Sequence, residues 1–310
     1  MQLSASQTAS SLLLTSRTSH RFSSTCAAID ALLTPQTHTA SLATQPDAPS
    51  ASGLGTGAVL ELMGPPGVGK TRTAMGFALA ERFREEGGEV LVVDAEGSLS
   101  PALLKSTAVA YAAHNGYDDE TVQEVLEGIR YRRIDSAWML VAFFNSLETW
   151  LSQHPRVNLV IIDSLTAHFR PHLDNDTRML IAEAIRTSLA NVCSSGRVSV
   201  ILTTSLSIKL FGPDHRPTSW SWDAEALLVP QIAERWIPEG GGGAGGWRVL
   251  LYYSERGERL ARLVSSSTAA QATDAAFTMD LLGPCDYPDP SLMQQEAEQE
   301  EETTGSPAPT

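Results

Sequence analysis

Cysteine is scarce in this chain: Cys26, Cys193 and Cys285 are the three in 310 residues, and no two of them form a C-x-x-C pair. That excludes a disulfide framework and a zinc knuckle and suits a reducing compartment. Long apolar runs are also missing. No stretch approaches the roughly 20 uninterrupted apolar residues of a membrane span, and no apolar segment with a cleavage site opens the chain, so neither membrane insertion nor secretion is expected. Positive charge is short, with 22 Lys and Arg against 36 Asp and Glu and a net charge of −14. Such a chain does not hold DNA phosphates over its whole surface, and any contact with DNA must come from a local basic patch.

What is present suits a soluble globular protein: 42% hydrophobic and 19% charged residues can build a sizeable core. The ends differ from the middle. Residues 1–29 are rich in Ser and Thr, carry Arg17 and Arg21 and hold no acidic residue, loosely the composition of a mitochondrial transit peptide. With two arginines, a flexible nuclear or cytosolic leader is the preferred reading, and the nucleus the expected location. Residues 34–57 are Thr, Ser, Pro, Ala and Gly-rich and read as a linker. The far end, 287–310, carries Glu296, Glu298, Glu300, Glu301 and Glu302 among Gln, Thr and Pro, a composition expected to stay disordered. The expected organisation is a leader and linker over 1–57 with a short pre-core segment, a core over 58–286 and an acidic tail.

The core opens on its most informative motif. Gly64-Pro65-Pro66-Gly67-Val68-Gly69-Lys70-Thr71 spells G-x-x-x-x-G-K-T. The glycines let the backbone turn successive N–H groups toward phosphates, Lys70 reaches the outer phosphates, and the Thr71 hydroxyl suits Mg²⁺. The apolar run 58–63 before it reads as a strand. The spacing of Met75, Ala78, Leu79 and Phe83 predicts a helix over 71–86, with Glu81 on its polar side and Gly87-Gly88 as the stop. Strand, glycine loop and helix together point to a nucleoside triphosphate with Mg²⁺.

Further apolar runs at 89–93, 157–162 and 198–203 suit strands buried on both faces, and helical spacing over 102–114, 136–153 and 177–193 separates them. This alternation predicts an α/β fold with a mainly parallel sheet flanked by helices. Residues 248–253 and 259–264 flank Ser254-Glu255-Arg256-Gly257-Glu258 as an antiparallel hairpin, so a small antiparallel C-terminal extension is expected.

Acidic residues at strand ends carry the remaining chemistry. Asp163 follows Leu159-Val160-Ile161-Ile162, where a carboxylate faces the β and γ phosphates and holds Mg²⁺. Glu96, 26 residues after Lys70, stands just past the second strand and could orient or deprotonate a water, and Asp94 competes for that role. Two other features are read as structural. His168 and His172 share helical spacing, but Pro171 between them breaks the helix a metal pair would need, and Gly53, Gly55 and Gly57 precede their strand, as a turn does. Arg130, Arg132 and Arg133 form the dense basic group of the core. A small-molecule kinase would need such arginines to converge on phosphate, but a polar strand start or surface patch is the preferred reading.

The order of Gly64 to Thr71, Val92-Val93-Asp94-Ala95-Glu96-Gly97-Ser98, and the block from Leu159 to Arg170 (LVIIDSLTAHFR) resembles the RecA-type recombinases. Ala226-Leu227-Leu228-Val229-Pro230 followed by Ala233-Glu234-Arg235-Trp236 resembles their eukaryotic paralogues, nearest the C-type, with similarity over about residues 20–286. The resemblance implies a RecA-like P-loop ATPase core acting in homologous recombination. It implies assembly with other recombinase paralogues and help for the main recombinase in loading on single-stranded DNA. It assigns the water-activating role to Glu96. It makes residues 24–33, with Ile29, Leu32 and Leu33, the segment that precedes the core.

Departures matter too. Where family members carry Thr-Asn-Gln, this chain reads Leu202-Thr203-Thr204-Ser205 at the expected strand end, and a serine is too short for the glutamine's reach to the γ-phosphate. Too few residues precede the core for the family's helical DNA-binding domain. A loop over 207–224 falls where the resemblance puts a DNA contact, and it holds Lys209, His215 and Arg216 beside Phe211, Trp220 and Trp222. Basic and aromatic residues together could neutralise phosphates and stack on unpaired bases, or the tryptophans could dock on protein. Lys209 and Arg216 are the DNA-binding candidates.

Overall fold

Alternation along the central strands sends apolar side chains to both faces of one sheet, which demands a cover on each side. The computed structural model describes residues 20–34, 52–169, 174–214, 216, 218–219, 223–230, 246–264 and 274–286. The leader to residue 19, the stretch 35–51, Arg170 to His172, His215, Trp220, Trp222, the 233–236 block and the acidic end from 287 lie outside them.

In chain order the elements are β1 (Arg21–Phe22), α1 (Ala27–Leu32), β2 (Leu54–Gly55), β3 (Val59–Gly64), α2 (Lys70–Arg82), β4 (Glu89–Asp94), α3 (Pro101–Asn115), α4 (Asp119–Glu127) and β5 (Ile129–Arg133). Then come α5 (Ala137–Gln153), β6 (Val157–Asp163), a 3₁₀ turn (Leu165–His168), α6 (Asn175–Ser194), β7 (Ser199–Phe211), β8 (Glu225–Pro230), β9 (Gly246–Tyr253), β10 (Arg259–Leu263), β11 (Ala275–Met279) and β12 (Pro284–Asp286). Among the described residues the main sheet has ten strands in the order β5-β4-β6-β7-β3-β9-β10-β11-β12, with β8 paired to β7 off that path. β5, β4, β6, β7, β3 and β9 run parallel, and β10, β11 and β12 continue antiparallel. β1 and β2 form a separate antiparallel pair.

The two faces have separate cores. On one, Val93, Val160, Ile162, Val200 and Leu202 pack with Phe143, Phe144 and Leu147 of α5 and Ile185 and Leu189 of α6. On the other, Leu60, Leu62, Val92, Ile161 and Ile201 pack with Met75, Phe77 and Ala78 of α2 and with Ile29 of α1. One acid interrupts the apolar run of β3. Glu61 is buried, and it is satisfied by the Thr204 hydroxyl at 2.8 Å and by Arg248 of β9 at 2.7 Å. Four helices start where the local chemistry says they should: Ser100, Asp118, Ser136 and Asp174 each accept the backbone N–H three residues on.

The expected fold class is the observed one, a mainly parallel sheet flanked by helices with an antiparallel C-terminal part. Its details depart from expectation in five places. α2 ends at Arg82 rather than running to Glu86. Glu81 is buried, not solvated, because Gly88 N–H and Asn158 donate to it at 2.7 Å each and Arg84 at 3.1 Å. α4 and β5 lie outside the expected elements, since β5 is Ile-Arg-Tyr-Arg-Arg and offers no apolar run. β7 does not end at Thr203–Ser205 but continues to Phe211. The expected loop from 207 is therefore partly a ribbon, with Lys209 opposite Leu227 in β8.

Candidate nucleotide site

β4, β6, β7 and β3 are neighbours in that order, and their carboxyl ends place the candidate residues side by side. The glycine loop joins β3 to α2. Gly67 and Gly69 take φ values of +80° and +114°, a conformation that a side chain would strain. Gly69 is also the N-cap of α2, and no side chain caps the first turn, so its N–H groups and the positive end of the helix face the loop. Lys70 is buried, and its Nζ donates to the carbonyl oxygens of Gly64 at 2.9 Å and Pro65 at 3.0 Å. Burial pushes its ammonium below the ordinary lysine value, while the Asp163 and Glu96 carboxylates pull it back up.

Asp163, at the end of β6, is 1% exposed and receives three hydroxyls. Thr71 donates to Oδ2 at 2.8 Å, Ser98 to the same oxygen at 2.9 Å, and Thr203 to Oδ1. A ring of hard oxygen donors around one carboxylate beside a phosphate loop fits Mg²⁺, which keeps waters and substrate oxygens in its shell and needs few protein ligands. Thr71 and Asp163 are the residues that would hold it. Ser98 and Thr203 were not singled out from the sequence. Ser98 closes the segment Val92–Ser98 and Thr203 stands in Leu202–Ser205, but only strand order shows that β4 and β7 flank β6.

Glu96 is exposed at the exit of β4, and its backbone N–H and that of Ala95 approach the Asp163 carbonyl at 3.4 and 2.7 Å. Asp94, its competitor, is fully engaged elsewhere. Gly97 N–H donates to it at 2.6 Å and the Tyr131 hydroxyl at 2.8 Å, and Arg133 lies at 3.1 Å. The same partners account for the basic group on β5. Arg130 pairs with Glu89 at 2.6 Å, Arg132 lies over the Phe143 ring, and Arg133 also bonds Asp135 at 2.8 Å, so these arginines do not converge on phosphate.

The two DNA candidates are not brought into this site by any described contact. Lys209 is exposed on β7, and Arg216, 84% exposed, lies 3.7 Å from Asp214. Ser205 keeps its backbone N–H on Thr166 Oγ1 at 3.2 Å. His168 bonds the Ile134 carbonyl at 2.9 Å, a structural role, and no cluster of three or more His, Cys, Asp or Glu side chains able to hold a metal occurs among the described residues.

The chain is similar to known proteins over much of this core. Residues 32–204, more than half of the chain, match the AAA domain family. The chain is 30% identical over 232 residues to a DNA repair protein RAD51 homolog 3 of Cricetulus griseus, covering 69% of this chain and 59% of that protein. It is 24% identical over 196 residues to a protein of the same name from Dictyostelium discoideum, covering 57% and 49%. Against the DNA repair and recombination protein RadB of Pyrococcus abyssi it is 33% identical over 130 residues, 40% of this chain and 48% of that one. The chain thus spans about half to three-fifths of the length of these relatives. It belongs to the AAA domain family and, within it, to the RecA-type recombinase paralogues.

Proposed function

We propose that this chain is an ATP-binding and ATP-hydrolysing recombinase paralogue of the nucleus, acting in homologous recombination and DNA double-strand break repair. It assembles with other recombinase paralogues and the main recombinase and assists loading on single-stranded DNA. The observation that carries the ATP reading is the Thr71–Asp163 contact of 2.8 Å beneath the glycine loop, with Glu96 exposed just past the adjacent strand β4. Residues 64–69 and the first turn of α2 would bind the phosphates through backbone N–H groups, with Lys70 supplying charge. Thr71 and Asp163 would hold the Mg²⁺ that accompanies ATP and screens its phosphate charge. Glu96 would orient the attacking water and accept its proton. The relatives' names support the repair role, and Lys209 and Arg216 remain the proposed DNA contacts.

Ser205 favours a second reading, an ATP-stabilised scaffold of a paralogue complex with little hydrolysis, because it cannot reach as the family's glutamine does. One assay separates them: ATP turnover by the full chain with its co-purifying partners, with and without single-stranded DNA. DNA-stimulated turnover that disappears in Glu96→Gln supports the ATPase. Binding without turnover above that variant supports the scaffold. Lys70→Ala should abolish or severely weaken nucleotide binding, and equal binding by that variant would sink the phosphate-loop assignment.

A further inference from the structure

A planar trans peptide points its N–H opposite to its C=O, so whatever fixes a loop's carbonyls outward also aims its N–H groups inward. Two carbonyls of the glycine loop are fixed in this way by an element far along the chain. The Tyr253 hydroxyl donates to the Gly67 carbonyl at 2.9 Å, and Arg259 Nε donates to the Val68 carbonyl at 3.2 Å. These peptide units carry the N–H groups of Val68 and Gly69. Tyr253 ends β9, Arg259 begins β10, and the two are directly opposite in register. The Arg259 guanidinium also lies over the Tyr253 ring, 5.5 Å from its centre. The pair therefore holds one geometry, and β9 is bonded in parallel to β3, the strand that delivers the loop. A second tie runs from α2, where Arg72 donates to the Asp280 and Leu281 carbonyls at 3.2 and 3.3 Å.

We propose that Tyr253 and Arg259 are positioning residues for phosphate binding: the β9–β10 hairpin braces the glycine loop from behind and sets the direction of its Val68 and Gly69 N–H groups. Donation to the carbonyl side also polarises each peptide unit and strengthens its N–H as a donor. The inference rests on the nucleotide-binding reading above.

The test is titration of the full chain with a fluorescent N-methylanthraniloyl ATP, beside thermal unfolding without nucleotide. Tyr253→Phe keeps the ring under Arg259 and removes one hydroxyl from a side chain that is 42% exposed. Its Kd should rise about three- to tenfold, the effect of one hydrogen bond, with an unchanged unfolding temperature. Arg259→Met, which keeps an unbranched apolar stem and removes the guanidinium, should shift Kd in the same direction. Equal Kd for wild type and Tyr253→Phe, with Lys70→Ala losing binding, overturns the brace and leaves the nucleotide site standing. A lowered unfolding temperature with unchanged Kd makes the contacts merely structural and overturns it too. Failure of the wild type to bind would reject the nucleotide reading itself, and the brace with it.

Discussion

Glu81 shows how much one side chain can depend on partners the sequence does not reveal. Burial alone would raise its pKa, but His20, 2.8 Å away, together with Asn158, Gly88 N–H and Arg84, brings it down to about 2 from the ordinary 4.5. A carboxylate whose folded pKa is depressed stabilises the fold fully above its unfolded value and loses that contribution as pH falls through the folded one. A shift of this size corresponds to on the order of 3 kcal/mol. Glu81→Gln should therefore destabilise the chain at pH 6, and the gap from wild type should shrink as pH drops from about 4.5 toward about 2. Urea midpoints at pH 6 and pH 3 check this, and an equal gap at both would show that the charge is irrelevant. At the site, Glu96→Gln should leave nucleotide affinity unchanged while slowing turnover, in contrast to Lys70→Ala.

At the scale of elements, α2 is shaped by what lies against it. Gly76 sits inside this helix, where alanine normally gains about 1 kcal/mol over glycine. Here a Cβ would stand 2.4 Å from the Ser24 carbonyl oxygen and 3.1 Å from Thr25 Oγ1, because the pre-core segment crosses the helix at that point. Gly76→Ala should destabilise by about 1–3 kcal/mol instead, measured as a lowered urea midpoint. The strands divide by legibility. β3, β4 and β6 are apolar runs bounded by turns, and their existence follows from pattern alone. β5 sits at the sheet edge, exposes its arginines and carries no such run. The β7–β8 ribbon reads as a loop because Ser207, Lys209 and Gly212 interrupt its apolar residues, and only pairing across Lys209 and Leu227 makes it a strand.

Across the whole molecule, the two ends of the described chain are clasped together. Asp286 accepts the N–H groups of Ala27 and Ala28 at 3.1 and 2.7 Å, and the Cys26 thiol at 3.2 Å, while Thr25 donates to the Pro284 carbonyl at 3.0 Å. The clasp seats α1 over the sheet, with Ile29 and Leu33 in the core beside Leu60. Burial, and then Asp286 itself, pushes the Cys26 thiol up to about 12, so it resists alkylation. Asp286→Ala should uncap α1 and expose that thiol. Cys26 labelling by iodoacetamide should accelerate severalfold, with faster amide exchange at Ala27 and Ala28. Unchanged labelling would mean that apolar packing alone holds the segment.

The phosphate loop, its flanking strand and helix, the parallel core and the carboxylates at Glu96 and Asp163 were determined by the sequence itself, because each is a local pattern of residue type and spacing. Tertiary structure decided the rest. It tied Asp94 to Gly97, Tyr131 and Arg133 and left Glu96 open, brought Ser98 and Thr203 onto Asp163, and set Tyr253 and Arg259 behind the glycine loop. A strand's periodicity says which side chains face a core, but not which strand lies beside it or in what register. Apart from the Asp94–Gly97 turn, those contacts join residues 37 to 191 positions apart, beyond the reach of any local pattern.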